Sequence, residues 1–419
     1  MIKLDMMDKK KKSLKEIFAE ALECYKKEDF KTTEIYCYKI LSIDPNHFDS
    51  LSLLANIFAV SRNFNKSKEF LEKAIKIQPE NTTILNNLGT AYRELGDTEK
   101  AMTFYQKVLS INSNHTNANY NLGLIFYGLK ELKRAKEYLE KTVKIQPNYA
   151  FAHFSLGNLQ KELNELKQAK ESYLKAIKIR PSFASAQNNL GLVFSNIGDP
   201  DSAMKCYKKA LEIDPKHAGA YNNLGRLYTE TGELEKAIES HKVAIKLEPQ
   251  NLVHTYYLSE LDKNFLNSEV KNKTEEILNN KETYRINLVY GNFLLSRYER
   301  NEKNYEKEFN YLIKAHKNYF ELKKKKFVSG VRYCFNDVLQ ISKFAKLKNA
   351  NNNNKIKPIF IIGVPRCGST LIEKIIGSGK ESIPMGEEVI ALEHLINTKV
   401  HEKKSLNLGE AGSFGDELV

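Results

Sequence analysis

The sequence predicts a mostly α chain, in which a long solenoid of stacked helix pairs precedes the opening of an α/β domain. Three observations carry that expectation. Prolines, Leu-Gly pairs and alanines recur in one phase every 34 residues across the first 251 positions. The next hundred residues lose that phase but keep apolar residues at three- and four-residue steps, as in Phe309, Leu312, Ile313 and Phe320. At Pro358 the texture changes abruptly to a short apolar run, a glycine loop and an amphipathic stretch.

The repeat comes first, because a missed period mis-assigns the whole fold. Pro45, Pro79, Pro147, Pro181, Pro215 and Pro249 are separated by 34 or 68 residues, with Ser113 in the one gap. Leu88-Gly89, Leu122-Gly123, Leu156-Gly157, Leu190-Gly191 and Leu224-Gly225 keep the same step, and Ala101, Ala135, Ala169, Ala203 and Ala237 follow in phase. Seven copies span 14–47, 48–81, 82–115, 116–149, 150–183, 184–217 and 218–251, with Ala21 and Ala55 at the glycine position of the first two. The pattern resembles the tetratricopeptide repeat (TPR), in which each unit is a pair of antiparallel helices. A small residue where the helices cross allows close approach, and proline falls where the second helix must stop. Gly96-Asp97, Gly198-Asp199 and Gly232-Glu233 read as the turn within a unit. One unit cannot bury its apolar face alone, so residues 1–251 are expected to stack into a right-handed superhelix with a concave groove.

At the sixth position of successive repeats stand Asn87, Asn121, Asn189 and Asn223, with Ser155 interrupting. Asparagine offers donor and acceptor together and can hold an extended backbone without regard to its side chains. The run is similar to the asparagine ladder in the TPR domains of O-linked N-acetylglucosamine transferases. The resemblance implies a peptide or protein partner in the groove. The same residue type equally suits hydrogen bonds between neighbouring helices, and the sequence leaves both readings open.

Residues 252–348 are expected to form further helix pairs that cap the solenoid. The tract NANNNN at 349–354 reads as part of a polar linker over 349–357. The chain carries a net charge of +13, concentrated per residue in 252–357. A lysine-rich solvated helix face explains that, and with no nucleic-acid motif beside it, no nucleic-acid partner is expected. No apolar run approaches the roughly 20 residues that span a bilayer, and the N-terminus has no apolar core of a secretory signal. Five cysteines without a CxxC pair argue against a zinc site and a disulfide framework. A cytoplasmic protein without a metal is expected.

From Pro358 the sequence runs PIFIIGVPRCGSTLIEKIIGSGK. Ile359 to Ile362 suit a buried parallel strand. The loop Gly363 to Thr370 and the helix through Leu371, Ile372, Ile375 and Ile376 complete a layout in which backbone N–H groups cradle an anion. The spacing matches a Walker A loop, but Ser369 stands where the lysine of a nucleotide triphosphatase belongs. That argues against ATP or GTP hydrolysis.

Strand, GxPRxGST loop, helix and a downstream Met385-Gly386-Glu387-Glu388 resemble the sulfotransferase family, which has a P-loop-like α/β fold and uses 3′-phosphoadenosine 5′-phosphosulfate (PAPS). Bacterial TPR–sulfotransferase fusions and tyrosylprotein sulfotransferases share the features. The resemblance implies that Cys367, Gly368, Ser369 and Thr370 hold the 5′-phosphate of PAPS. Arg366 would bind there too and stabilise charge on the bridging oxygen as the sulfuryl group leaves. A glutamate would act as general base towards an acceptor hydroxyl, such as a protein tyrosine. Spacing in the bacterial fusions favours Glu387; alignment with the tyrosylprotein enzymes favours Glu388. Cys367 departs from the family's usual serine. Residues 358–419 also lack the family's 3′-phosphate segment, so they are expected to be the N-terminal fragment of such a domain. Two functions follow: a PAPS-dependent sulfotransferase whose groove helps to bind the acceptor, or a non-catalytic TPR scaffold with an inert transferase segment.

Overall fold

The computed structural model describes residues 13–262, 264–280 and 282–333. The linker at 349–357 and Arg366, Cys367, Gly368, Ser369, Thr370, Glu387 and Glu388 lie outside them. The chain divides into two units, Met1–Tyr319 and Phe320–Val419. Everything below concerns the first.

Fourteen helices form seven antiparallel pairs in the predicted register. The first four pairs are α1 (Leu14–Lys26) with α2 (Phe30–Leu41), α3 (Phe48–Val60) with α4 (Phe64–Ile77), α5 (Thr82–Glu94) with α6 (Thr98–Ile111), and α7 (Thr116–Gly128) with α8 (Leu132–Ile145). The remaining three are α9 (Ala150–Glu162) with α10 (Leu166–Ile179), α11 (Ala184–Asn196) with α12 (Pro200–Ile213), and α13 (Ala218–Glu230) with α14 (Leu234–Leu247). No strand occurs among the described residues.

The turn inside each pair is one structure used seven times. Its fifteenth position lies in the left-handed region throughout: Gly96, Gly198 and Gly232 at φ 85°, 78° and 82°, but also Glu28, Arg62, Lys130 and Asn164 at 59°, 58°, 63° and 62°. Glycine is therefore the unstrained choice there, and four repeats do without it. The next residue caps the second helix. Asp29, Asn63, Asp97 and Asp199 each accept a hydrogen bond from the backbone N–H three residues on. From the second pair onward, the second helices end at the thirtieth position, with an extended residue before the proline, as at Gln78 (φ −129°, ψ 83°).

The small residue at the crossing makes room for a particular side chain. A Cβ on Gly89, Gly157 or Gly191 would sit 2.7, 2.8 or 2.6 Å from the ring of Tyr105, Tyr173 or Tyr207, each sixteen residues on in the second helix. Gly123 faces Leu139 at 2.9 Å and Gly225 faces His241 at 2.8 Å. In the first two repeats the corresponding pairs are Ala21 with Cys37 and Ala55 with Leu71, all buried. A larger first-helix residue goes with a smaller second-helix one, as close packing requires.

Beyond the repeats, α15 (Leu252–Leu261) packs on α14 and on α17 (Arg285–Asn301), and α16 (Ser268–Asn279) packs on α17. Asn287 stitches the seam: its Oδ1 accepts from the Leu252 N–H at 3.0 Å, and its Nδ2 donates to the Gln250 carbonyl at 2.8 Å. The turn from α17 into α18 (Tyr305–Tyr333) repeats the solenoid's own. Lys303 has φ 58°, and the Asn304 N–H donates to the Glu299 carbonyl at 2.8 Å, as that of Asp97 does to Tyr92 at 2.9 Å. Ala315, fully buried, follows Asn304 by the eleven residues that separate Ala210 from Asp199. The sequence phase is lost here, but the turn is retained.

Candidate functional site

The first helices of the repeats make a layer of their own. Consecutive members α5, α7, α9, α11 and α13 approach one another directly as well as through the second helices between them. Second helices make no comparable approach among the described residues, so the first helices lie on the inside of the curve. Positions 2, 5, 9 and 12 share one face of a 3.6-residue helix. On α9 these are Phe151, Phe154, Asn158 and Lys161.

Polar or aromatic links join every first helix to the next from α3 to α15. Asn87 Nδ2 donates to Asn56 Oδ1 at 3.4 Å, and Arg93 Nη1 to Asn121 Oδ1 at 2.8 Å. Tyr120 Oη and Ser155 Oγ lie 3.3 Å apart. Asn189 Nδ2 donates to Asn158 Oδ1 at 2.7 Å, and Asn223 Nδ2 to Asn188 Oδ1 at 2.9 Å. The last link is the Arg226 guanidinium, 5.3 Å over the Tyr257 ring. The four predicted asparagines thus lie on one inner layer, each tied to its neighbour. Asn189 also accepts from Asn188 Nδ2 at 3.1 Å, and its amide lies beside the Tyr173 hydroxyl as well. Asn56, Asn158 and Asn188 share the network and were not singled out from the sequence. The spacing of Asn56 and Asn158 by three repeats was the available signal.

An aromatic edge flanks the layer at repeats four and five. Tyr120 and Tyr149 have centroids 5.0 Å apart, Phe151 and Phe183 5.3 Å, and Phe154 and Phe183 4.8 Å. The Arg180 guanidinium lies 5.3 Å from the Phe151 ring, which is 45% exposed.

The cations of the inner layer differ in their partners. Arg93 pairs with Glu94 at 2.6 Å. Lys161 is half-buried and forms no ion pair among the described residues; burial pulls its ammonium below the ordinary lysine pKa, and the neighbouring Glu162 charge opposes that in part. Glu162 beside it is held by Lys130 at 2.9 Å. Arg226 is half-buried and forms no ion pair among the described residues, although the exposed Glu230 stands one turn further on. Among the described residues no cluster of three His, Cys, Asp or Glu could hold a metal. Burial pushes the Cys37 and Cys206 thiols up, to about 12 and about 11, which suppresses their nucleophilic form.

The fold is that of a helical-repeat solenoid. Models of the tetratricopeptide repeat match residues 48–81, 70–103, 89–130 and 116–149, then 160–198, 184–217 and 206–239. The chain is a TPR-repeat protein. It is similar in part to MamA: the MamA crystal structure is 29% identical over 39% of this chain and 95% of that one, with a TM-score of 0.36. YrrB, described as a TPR protein with an unusual peptide-binding site, is 26% identical over 44% of this chain and 96% of that one, at TM-score 0.38. The Cut9–Hcn1 hetero-tetramer of the APC/C covers 59% of this chain and 49% of that one at 12% identity and TM-score 0.51, a likeness of fold. No curated protein matches the chain. Among the described residues, no helix is long and apolar enough to cross a membrane.

Proposed function

We propose that the solenoid is a protein-binding module whose inner layer holds an extended polypeptide segment. The observation that carries this reading is the asparagine run across α3 to α13. Its amides keep spare donors and acceptors after linking neighbouring helices, so one strip of side chains serves both superhelix and ligand. The half-exposed ring of Phe151 supplies apolar contact at its edge. Substituting Asn189 and Asn223 by alanine should weaken peptide binding at least tenfold while helicity is kept; unchanged affinity would reject the reading.

We further propose that residues 358–419 belong to a PAPS-dependent sulfotransferase domain, on the strength of the Gly363–Thr370 loop and the Gly386-Glu387-Glu388 motif. Arg366, Cys367, Gly368, Ser369 and Thr370 would hold the 5′-phosphate side of the nucleotide, and Glu387 or Glu388 would take the acceptor's proton. Titration calorimetry of the full chain with 3′-phosphoadenosine 5′-phosphate tests this. Binding that is lost in Arg366→Ala supports it, and no heat of binding supports the scaffold function instead.

A further inference from the structure

The outer face of the first repeat breaks a pattern that the other six keep. At the twenty-second position, exposed in every repeat, the later copies carry Glu69, Thr103, Glu137, Glu171, Lys205 and Glu239, whereas the first carries Ile35, 60% exposed. At the twenty-fifth position the first repeat carries Tyr38, 42% exposed, where five of the six later copies are polar and Leu174 is the exception. No later repeat has large apolar side chains at both positions. One exposed apolar residue is ordinary, but a pair on one face, where the repeat's own pattern is polar, marks a surface that meets another molecule. Tyr38 is already placed, edge-on to the Phe70 ring at 6.1 Å, so little side-chain freedom is lost on contact.

The charges around this pair identify the partner. Lys31, Ile35, Tyr38 and Ser42 follow one another at steps of four, three and four, the seam spacing of two helices packed side by side. Glu34 falls on one flank of that seam and Lys39 on the other. Burial first, then the Glu34 and Glu69 carboxylates, hold the Tyr38 phenol above its ordinary pKa, so Glu69 on α4 adds to the acidic flank. When two copies of α2 lie parallel about a two-fold axis, the acidic flank of each faces the basic flank of the other, and Glu34 meets the partner's Lys39. An antiparallel pair would set glutamate against glutamate and lysine against lysine. The face is complementary to itself in one orientation only.

We propose that a second copy of this chain docks on the outer face of α2, in a parallel two-fold dimer with Ile35 and Tyr38 of both chains at its centre. Lys31 at one end and Ser42 at the other limit the apolar seam to one heptad, about 10 Å long. A contact of that size gives a weak dimer, with a dissociation constant on the order of tens of micromolar. The inner layer of each solenoid stays uncovered, so a partner with two segments would engage both.

The test is sedimentation equilibrium of the full chain across concentrations that bracket that constant. The mean mass should rise from that of one chain towards that of two. Ile35→Glu gives the first repeat the residue that four later ones carry, and should weaken association by about tenfold or more with helicity kept. Glu34→Lys and Lys39→Glu should each weaken self-association similarly, whereas an equimolar mixture of the two variants should associate at least as tightly as the native chain, a gain that misfolding cannot produce. Ser42→Cys should form a disulfide between chains under mild oxidation that the native chain does not form, because the parallel two-fold brings the two positions together. A dimer whose Ser42→Cys variant fails to cross-link would overturn the parallel seam. A dimer indifferent to Ile35→Glu and to the charge substitutions would place the contact elsewhere and overturn the proposal. A single-chain mass at every concentration would overturn it too, and a lowered Tm of Ile35→Glu would then show the face to be covered within one chain.

Discussion

Adding one methyl group to Gly191 should be unfavourable or favourable according to the residue at position 207. A Cβ there would lie 2.6 Å from Cε1 and 2.8 Å from Cδ1 of Tyr207, whose side chain is 1% exposed. Carbon atoms in contact prefer 3.5–4.0 Å, so the ring must move by about 1 Å in a core with no room for it. Overpacking of this kind costs about 1–3 kcal/mol, and alanine's better helix propensity returns about 1 kcal/mol. Gly191→Ala alone should therefore lie between neutral and about 2 kcal/mol destabilising. Tyr207→Leu alone opens a cavity and costs roughly 2–4 kcal/mol. In that background the added methyl fills space, so Gly191→Ala should stabilise by about 1 kcal/mol. Ala55 over Leu71 is the same arrangement within the chain. The double-mutant cycle in urea, followed by circular dichroism, should thus give a coupling of about 1–3 kcal/mol. Additivity within about 0.5 kcal/mol would refute the packing argument.

Three further outcomes follow from particular residues. Arg62→Gly should stabilise by up to about 1 kcal/mol, because relief of a left-handed residue outweighs glycine's extra unfolded-state entropy; thermal melts of the pair would show it. Hydrogen bonds from Thr32, Lys100 and Ser202 hold Asp29, Asp97 and Asp199 below the ordinary 3.8, so their stabilisation is present above that pH and is lost as pH falls through the lowered values. The triple Asp→Asn variant, which copies the cap at Asn63, should flatten the acid limb of the stability–pH curve. Burial first, then the charges of His254 and Arg226, depress His241 to about 4 against an ordinary 6.5. The unfolded chain then binds the proton first, so stability should fall by about 2 kcal/mol from pH 7 to pH 5. His241→Leu, the pairing already used by Gly123 and Leu139, should remove that share of the loss in urea titrations at the two pH values.

Residue by residue, the repeat was legible because its signals are local. Proline, Leu-Gly and buried alanine each act within one helix or one turn, so a 34-residue period fixes helix pairs, their order and their register before any contact is known. The further pair α17–α18 was less legible: Ser296 and Lys303 stand where the repeats have Gly or Ala and, in three copies, Gly. The backbone accepts a left-handed residue in either case, so the turn persists after its sequence mark is gone. The asparagine positions were visible as a ladder, but their partners were not. Asn189 finds Asn158, 31 residues back, whereas Asn223 finds Asn188, 35 back. That choice depends on the rotation between successive helix pairs, which no single repeat encodes. The same rotation closes Glu162 of one repeat onto Lys130 of the repeat before it. The sequence by itself determined the helices and the small residues that let them cross. Only the tertiary structure decided which side chains pair across repeats, because that pairing is settled between helices.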